Sequence, residues 1–127
     1  MHGHISSAHS FNVIADLHGA PGSQNGYDNS GQLTNNPVRG SNKSNVTRTV
    51  DTLKFLAKTV GNQDSVIELL NEAAGFRGDD WASVIRQLWQ DGYDAVREAA
   101  GQGVNVMIGD AFLGVDVSLF LKFQSRF

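Results

Sequence analysis

An α/β fold in the order β-α-β-α-β, a parallel sheet covered by helices, is what the amino-acid sequence predicts. Three observations carry that expectation. Short apolar runs at residues 11–18, 65–72 and 104–110 alternate with two longer stretches whose apolar residues recur every three or four positions. Each short run is nearly continuous in apolar residues, the pattern of strands buried on both faces. Strands that alternate with helices form parallel sheets joined by right-handed crossovers.

The elements follow in order. Residues 1–10 are polar, carry His2, His4 and His9, and have no apolar period to fix them to a core. They read as a flexible N-terminal segment, and three histidines without a fourth ligand or a fixed geometry predict no metal site. Residues 11–18 read as a buried strand closed by Gly19, Pro21 and Gly22. From 19 to 43 the chain is almost all Gly, Asn, Ser, Gln and Pro. A loop of that length in a compact domain is usually functional or disordered, so it is the first place to look for a site. Asn45 is placed to cap a helix with Val46, Val50, Leu53, Ala57 and Val60 on one face, and Gly61 to end it. After the second strand, Asp79 and Asp80 open a second helix with Trp81, Val84, Ile85, Leu88, Trp89, Tyr93, Val96 and Ala100 as its stripe. Gly101 or Gly103 ends it, and the two tryptophans, lying on the stripe, read as core.

Bulk composition narrows the function. With 127 residues, 40% hydrophobic and 18% charged, the chain has the make-up of one domain with a modest core. A formal charge of -3 with scattered Lys and Arg argues against capture of nucleic acid. No apolar run is long enough to span a bilayer, and nothing near Met1 joins a basic start to a greasy stretch, so neither a membrane nor a secretory route is expected for the chain as written. Cytoplasmic residence is the corresponding expectation. The absence of cysteine excludes a disulfide, a thiolate nucleophile and Cys-ligated zinc, and no cofactor is expected. Asn42-Lys43-Ser44 and Asn45-Val46-Thr47 match the glycosylation pattern, a weak hint of a secreted ancestor.

The chemistry gathers at one edge. Ligand sites of parallel sheets lie beyond the carboxyl ends of the strands, and all three strands here end in polar groups: His18, then Asn71 and Glu72, then Asp110. Alternation along a strand puts Asp16 and His18 on one face, and likewise Glu68, Leu70 and Glu72. A carboxylate as deep as Glu68 needs a partner or a raised pKa. Each of these residues also has a plainer reading. Glu72 could complement the start of a helix, His18 could orient the loop through a backbone hydrogen bond, and Asp110 could be only a turn former.

The run Asp16-Leu17-His18-Gly19-Ala20-Pro21-Gly22-Ser23-Gln24-Asn25-Gly26-Tyr27-Asp28-Asn29-Ser30-Gly31, followed by Ile67-Glu68-Leu69-Leu70-Asn71-Glu72, resembles the third and fourth strands of fungal exo-β-1,3-glucanases of glycoside hydrolase family five. The resemblance continues through Gly92-Tyr93-Asp94-Ala95-Val96-Arg97 and Ile108-Gly109-Asp110-Ala111-Phe112 and covers residues 11–114. It implies part of a (β/α)8 barrel and a retaining hydrolase of the secreted or cell-wall type that releases glucose from β-1,3-glucan. In such an enzyme one carboxylic acid protonates the leaving oxygen and a second carboxylate attacks the anomeric carbon. Glu72 is then the acid/base; His18 and Asn71 bind sugar or the catalytic carboxylates; Asn25 and Asp28 belong to the loop that shapes the glucose pocket; Asp110 and Phe112 sit at its rim. The sequence departs from the family at Ala73, where a proline is usual, and again over residues 115–127, which read as a divergent tail. A full barrel takes ~250 residues, and the regions that supply the family's nucleophile and an active-site arginine are not in this sequence. The implied chain is therefore weakly active or inactive by itself, with open sheet edges available for self-association. The alternative is a non-catalytic β-glucan-binding or interaction module derived from the enzyme.

Overall fold

The computed structural model describes residues 12–37, 42–62 and 64–114. The expectations for residues 1–10 and for the 115–127 tail fall outside them. Five main elements follow in the predicted order: β1 (Val13–Asp16), α1 (Lys43–Val60), β2 (Ser65–Glu68), α2 (Asp79–Ala100) and β3 (Asn105–Met107). Short 3-10 turns at Asp28–Ser30 and Gly75–Arg77 lie in the connections after β1 and β2. The sheet has the order β1-β2-β3 and is parallel throughout, with Asp16 opposite Glu68 and Glu68 opposite Met107.

The strands are shorter than the apolar runs that announce them. Their hydrogen bonding nonetheless runs on: Leu17 N–H donates to Glu68 O at 3.3 Å, Leu69 N–H to Met107 O at 3.0 Å and Asn71 N–H to Leu17 O at 3.1 Å. This continuation carries the β1–β2 pair up to the turn that holds Glu72.

One face of the sheet is sealed by the helices. Ser65, Ile67 and Leu69 alternate with the half-buried Val66 and Glu68, and Ile67 and Leu69 enter a core with Leu53 and Ala57 of α1 and Ile85, Leu88, Trp89 and Val96 of α2. Trp81 packs partly buried against the same core, so both tryptophans occupy the helix stripe as expected. β1 does not match its expectation. Val13 is 45% and Ile14 59% exposed, although they point to opposite faces. The strand pairs only with β2, and no other described strand pairs along its outer edge, so its apolar residues have little to pack against.

Helix ends follow local chemistry. α1 starts two residues before the predicted cap: Asn42, with extended backbone, accepts from Ser44 N–H at 3.0 Å, and Asn45 is buried inside the first turns. Gly61 N–H closes the helix on Ala57 O, and Gly101, at φ 80°, closes α2 on Arg97 O. Asp79 and Asp80 in the first turn of α2 suit the positive end of its dipole. No described helix is long and apolar enough to cross a membrane.

The two helices approach closely at Gly92, where an added Cβ would lie 2.8 Å from Leu53 Cδ1 and 3.5 Å from Leu69 Cδ2. Those leucines are themselves fully buried, so Gly92→Val is expected to destabilise the chain by ~1–3 kcal/mol through overpacking. Urea unfolding followed by circular dichroism checks this; an unchanged midpoint would mean the helices are not in contact there.

Candidate active site

The chain leaving β1 folds back over the carboxyl ends of the strands, and buried amides fasten it there. Gln24, with no exposed surface, accepts from Ala20 N–H at 3.1 Å and donates Nε2 to His18 O at 2.8 Å and Asn71 O at 3.0 Å. Ala74 N–H donates to Gln24 O at 3.1 Å, so the loop is tied to the end of β1 and to the turn after β2. Ser23 and Ser30 hydroxyls share a bond of 2.6 Å, and Gly26 N–H donates to Ser23 Oγ at 2.7 Å. Gly26 has φ +87°, and a Cβ there would meet Thr34 O at 2.7 Å, so this corner takes only glycine. Arg77 clamps the loop from outside, donating Nη2 to Asn25 O at 2.8 Å while its guanidinium lies 5.9 Å from the Trp81 ring.

Glu72 is the centre of this arrangement. Its backbone is left-handed, at φ 45°, a conformation that costs about 1–3 kcal/mol in a non-glycine residue and persists only when its surroundings enforce it. The enforcing groups are identifiable. Asn71 O is held by Gln24, and Glu72 O accepts from Asn25 Nδ2 at 3.1 Å. The carboxylate stands exposed, with Oε2 accepting from Asn29 Nδ2.

The other predicted residues sort by environment. Asn71 has a buried Nδ2 with no hydrogen-bond partner among the described residues, a donor that a ligand oxygen could satisfy. His18 is exposed and its Nδ1 lies 2.7 Å from Asp16 Oδ2, which bears out the shared face of the two. Asp28 is exposed, its Oδ1 accepting from Asn29 N–H at 2.9 Å. Asp110 accepts from Phe112 N–H at 3.0 Å and shapes the turn after β3, and Phe112 stands exposed with its ring edge-on to Phe76 at 6.0 Å. Gly75 N–H donates to Ala111 O at 2.9 Å, which joins this turn to the one that follows Glu72. Asn25 differs from its expected place in the glucose pocket: it is fully buried, its Oδ1 accepts from Tyr27 N–H, and its Nδ2 serves Glu72 O and Asn29 Oδ1. Both polar ends are therefore occupied by protein.

Sequence reasoning missed Gln24, Asn29, Arg77 and Phe76. The first two sit in the quoted loop run, but nothing in a string of small polar residues separates the buried amides from the solvated ones. Glu68 has its pKa raised by burial and then by the Asp16 carboxylate, with His18 partly offsetting them. Among the described residues no cluster of three or more His, Asp or Glu is placed to hold a metal.

No family model matches the chain. Curated relatives do. It is 43% identical over 104 residues to the glucan 1,3-beta-glucosidase of Blumeria graminis, an overlap that takes in 80% of this chain and 23% of the relative. Glucan 1,3-beta-glucosidase 2 of Wickerhamomyces anomalus is 39% identical over 105 residues, covering 79% and 23% of the two chains. The probable glucan 1,3-beta-glucosidase A of Aspergillus fumigatus is 37% identical over 107 residues, covering 82% and 25%. This chain is a segment of the fungal glucan 1,3-beta-glucosidase family. It spans about a quarter of the length of the relatives it matches.

Two outcomes follow for this segment. Gln24→Leu keeps the volume but strands Ala20 N–H and two carbonyls, and is expected to cost at least ~2 kcal/mol, read from urea unfolding; a smaller loss would mean the loop is not anchored by this amide. For Glu68 the folded pKa lies above its ordinary 4.5, so the folded state holds the proton to higher pH. Stability from this group is then greatest at or below about pH 4 and falls as pH rises through the raised pKa. Glu68→Gln should be more stable than the native chain at neutral pH, with the difference closing on acidification; thermal melts across pH test the sign.

Proposed function

We propose that this chain carries the general acid/base half of a retaining exo-β-1,3-glucanase site on three adjacent strands of a (β/α)8 barrel, residues 11–114 forming that sector. The parallel β-α-β-α-β order and the gathering of polar groups beyond the carboxyl ends of the strands support the barrel reading. The observation that carries the function is Glu72 itself: an exposed carboxylate beyond the strand ends, on a left-handed backbone fastened by Gln24 and Asn25. In this reading Glu72 protonates the leaving glycosidic oxygen and later takes a proton from the attacking water. A second carboxylate, supplied by the remaining three-quarters of the architecture, stands roughly 5–5.5 Å away and attacks the anomeric carbon. Asn71 donates its free Nδ2 to a sugar hydroxyl, while His18, Asp28, Asp110 and Phe112 line the approach. β-1,3-Glucan is the substrate, by the names of the relatives. The exposed Val13 and Ile14 on the open edge of β1 are where the rest of the barrel, or a second copy, would add.

A second reading is a glucan-binding module without turnover. The Asn71 Nδ2, without a partner among the described residues, and the exposed Phe76 and Phe112 rings favour it, because sugar contact through a donor and an aromatic face needs no nucleophile.

One experiment separates the two. Exchanging residues 11–114 for the matching stretch of the Blumeria graminis glucosidase supplies the missing length, and Glu72→Gln in that chimera is expected to lower glucose release from laminarin by ~10²–10⁴-fold. Equal rates would remove Glu72 from the chemistry. A chimera without turnover, together with saturable laminari-oligosaccharide binding by the native chain, would establish the binding module instead.

A further inference from the structure

The amides around Glu72 have their orientations dictated by a backbone donor. Tyr27 N–H can only donate, so the Asn25 atom 2.8 Å from it is Oδ1. The other end of Asn25 is therefore Nδ2, which faces Glu72 O at 3.1 Å, a carbonyl that can only accept. The same Nδ2 lies 3.4 Å from Asn29, which must present Oδ1 to it. Asn29 then turns its own Nδ2 toward the Glu72 carboxyl, where Oε2 accepts it.

We propose that Asn25 and Asn29 form a two-amide relay that fixes Oε2 of Glu72 as a permanent hydrogen-bond acceptor and so leaves Oε1 to carry the transferable proton. The assignment rests on reading Glu72 as the acid/base. Both asparagines are positioning residues in it. A proton on Oε2 would face the N–H of Asn29, and Asn29 cannot turn over to receive it without putting its NH2 against that of Asn25. Asn25 cannot follow, because its Oδ1 is committed to Tyr27 N–H in a fully buried position. The acid form therefore holds its O–H on the side away from Asn29, and one of the two carboxyl oxygens is selected before any sugar arrives. The charged neighbours are Asp28, which accepts from Asn29 N–H, and Arg77, which donates to Asn25 O. Both bonds are to backbone atoms, and among the described residues neither group hydrogen-bonds to the relay's side-chain amides.

Nuclear magnetic resonance on the isotope-labelled native chain tests the relay. Across a pH titration the Asn29 side-chain NH2 signal is expected to shift in step with the Glu72 carboxyl carbon, and to lose that shift in Glu72→Gln. In Asn25→Asp the residue at 25 has no N–H to give, so Asn29 turns over and its NH2 shift uncouples from Glu72, whose carboxyl carbon still titrates. An Asn29 signal indifferent to Glu72 ionisation overturns the proposal. So does a shift that survives Glu72→Gln, which would come from Asp28, or one unchanged in Asn25→Asp. Should Asn25→Asp fail to fold, the comparison with Glu72→Gln still decides, since that side chain is exposed. No sugar enters the measurement. A lost relay signal with Glu72-dependent laminarin cleavage overturns the relay alone, whereas an intact signal with cleavage indifferent to Glu72→Gln overturns the acid/base reading and the catalytic sense of the relay with it.

Discussion

The carboxamide of Gln24 joins the chain leaving β1, at His18 and Ala20, to Asn71, which lies 47 residues beyond Gln24 in sequence. It takes the N–H of Ala20 and gives its own hydrogens to the carbonyls of His18 and Asn71, at a position closed to solvent. An amide in such a place must be satisfied by protein, because an unmatched buried polar group costs about 1–3 kcal/mol. The loop, the end of β1 and the turn after β2 consequently form one unit. Everything displayed on that unit inherits its rigidity: the left-handed backbone of Glu72, the buried Nδ2 of Asn71, Asn25 against the Glu72 carbonyl and Asn29 against its carboxyl.

The rest of the molecule divides between support and display. α1 and α2 pack on one face of the sheet, and the close approach at Gly92 lets Leu53 and Leu69 meet across it. That side supplies the apolar burial that holds a small sheet together. The opposite side is less finished. Ile14 of β1 remains open to solvent there, and Glu68 and Asp16, paired in register, place two carboxyl groups side by side with His18 to moderate them.

The fold order was legible because its signals are local and periodic. Apolar residues at three-and-four spacing gave both helices, and Gly61 and Gly101 gave their ends. The start of α1 is ambiguous in sequence because Asn42 and Asn45 are equally good caps as letters; in the fold Asn42 caps the helix and Asn45 is buried within it. β1 reads as buried because Val13 and Ile14 are apolar, but burial depends on neighbours, and the strand has one on a single side.

For the site, the sequence by itself determined which residue types stand at the carboxyl ends of the strands, because strand direction and alternation are properties of the local chain. His18, Asn71, Glu72 and Asp110 are legible at those ends, and the long polar loop beside them. Only the tertiary structure decided which amides turn inward. Asn25 and Asn29 are the same residue four positions apart, yet one is sealed beneath the turn of Glu72 and the other meets the carboxylate at the surface. That difference comes from hydrogen bonds to Tyr27, Glu72 and Arg77, and a contact that spans nearly fifty residues leaves no periodic trace in sequence.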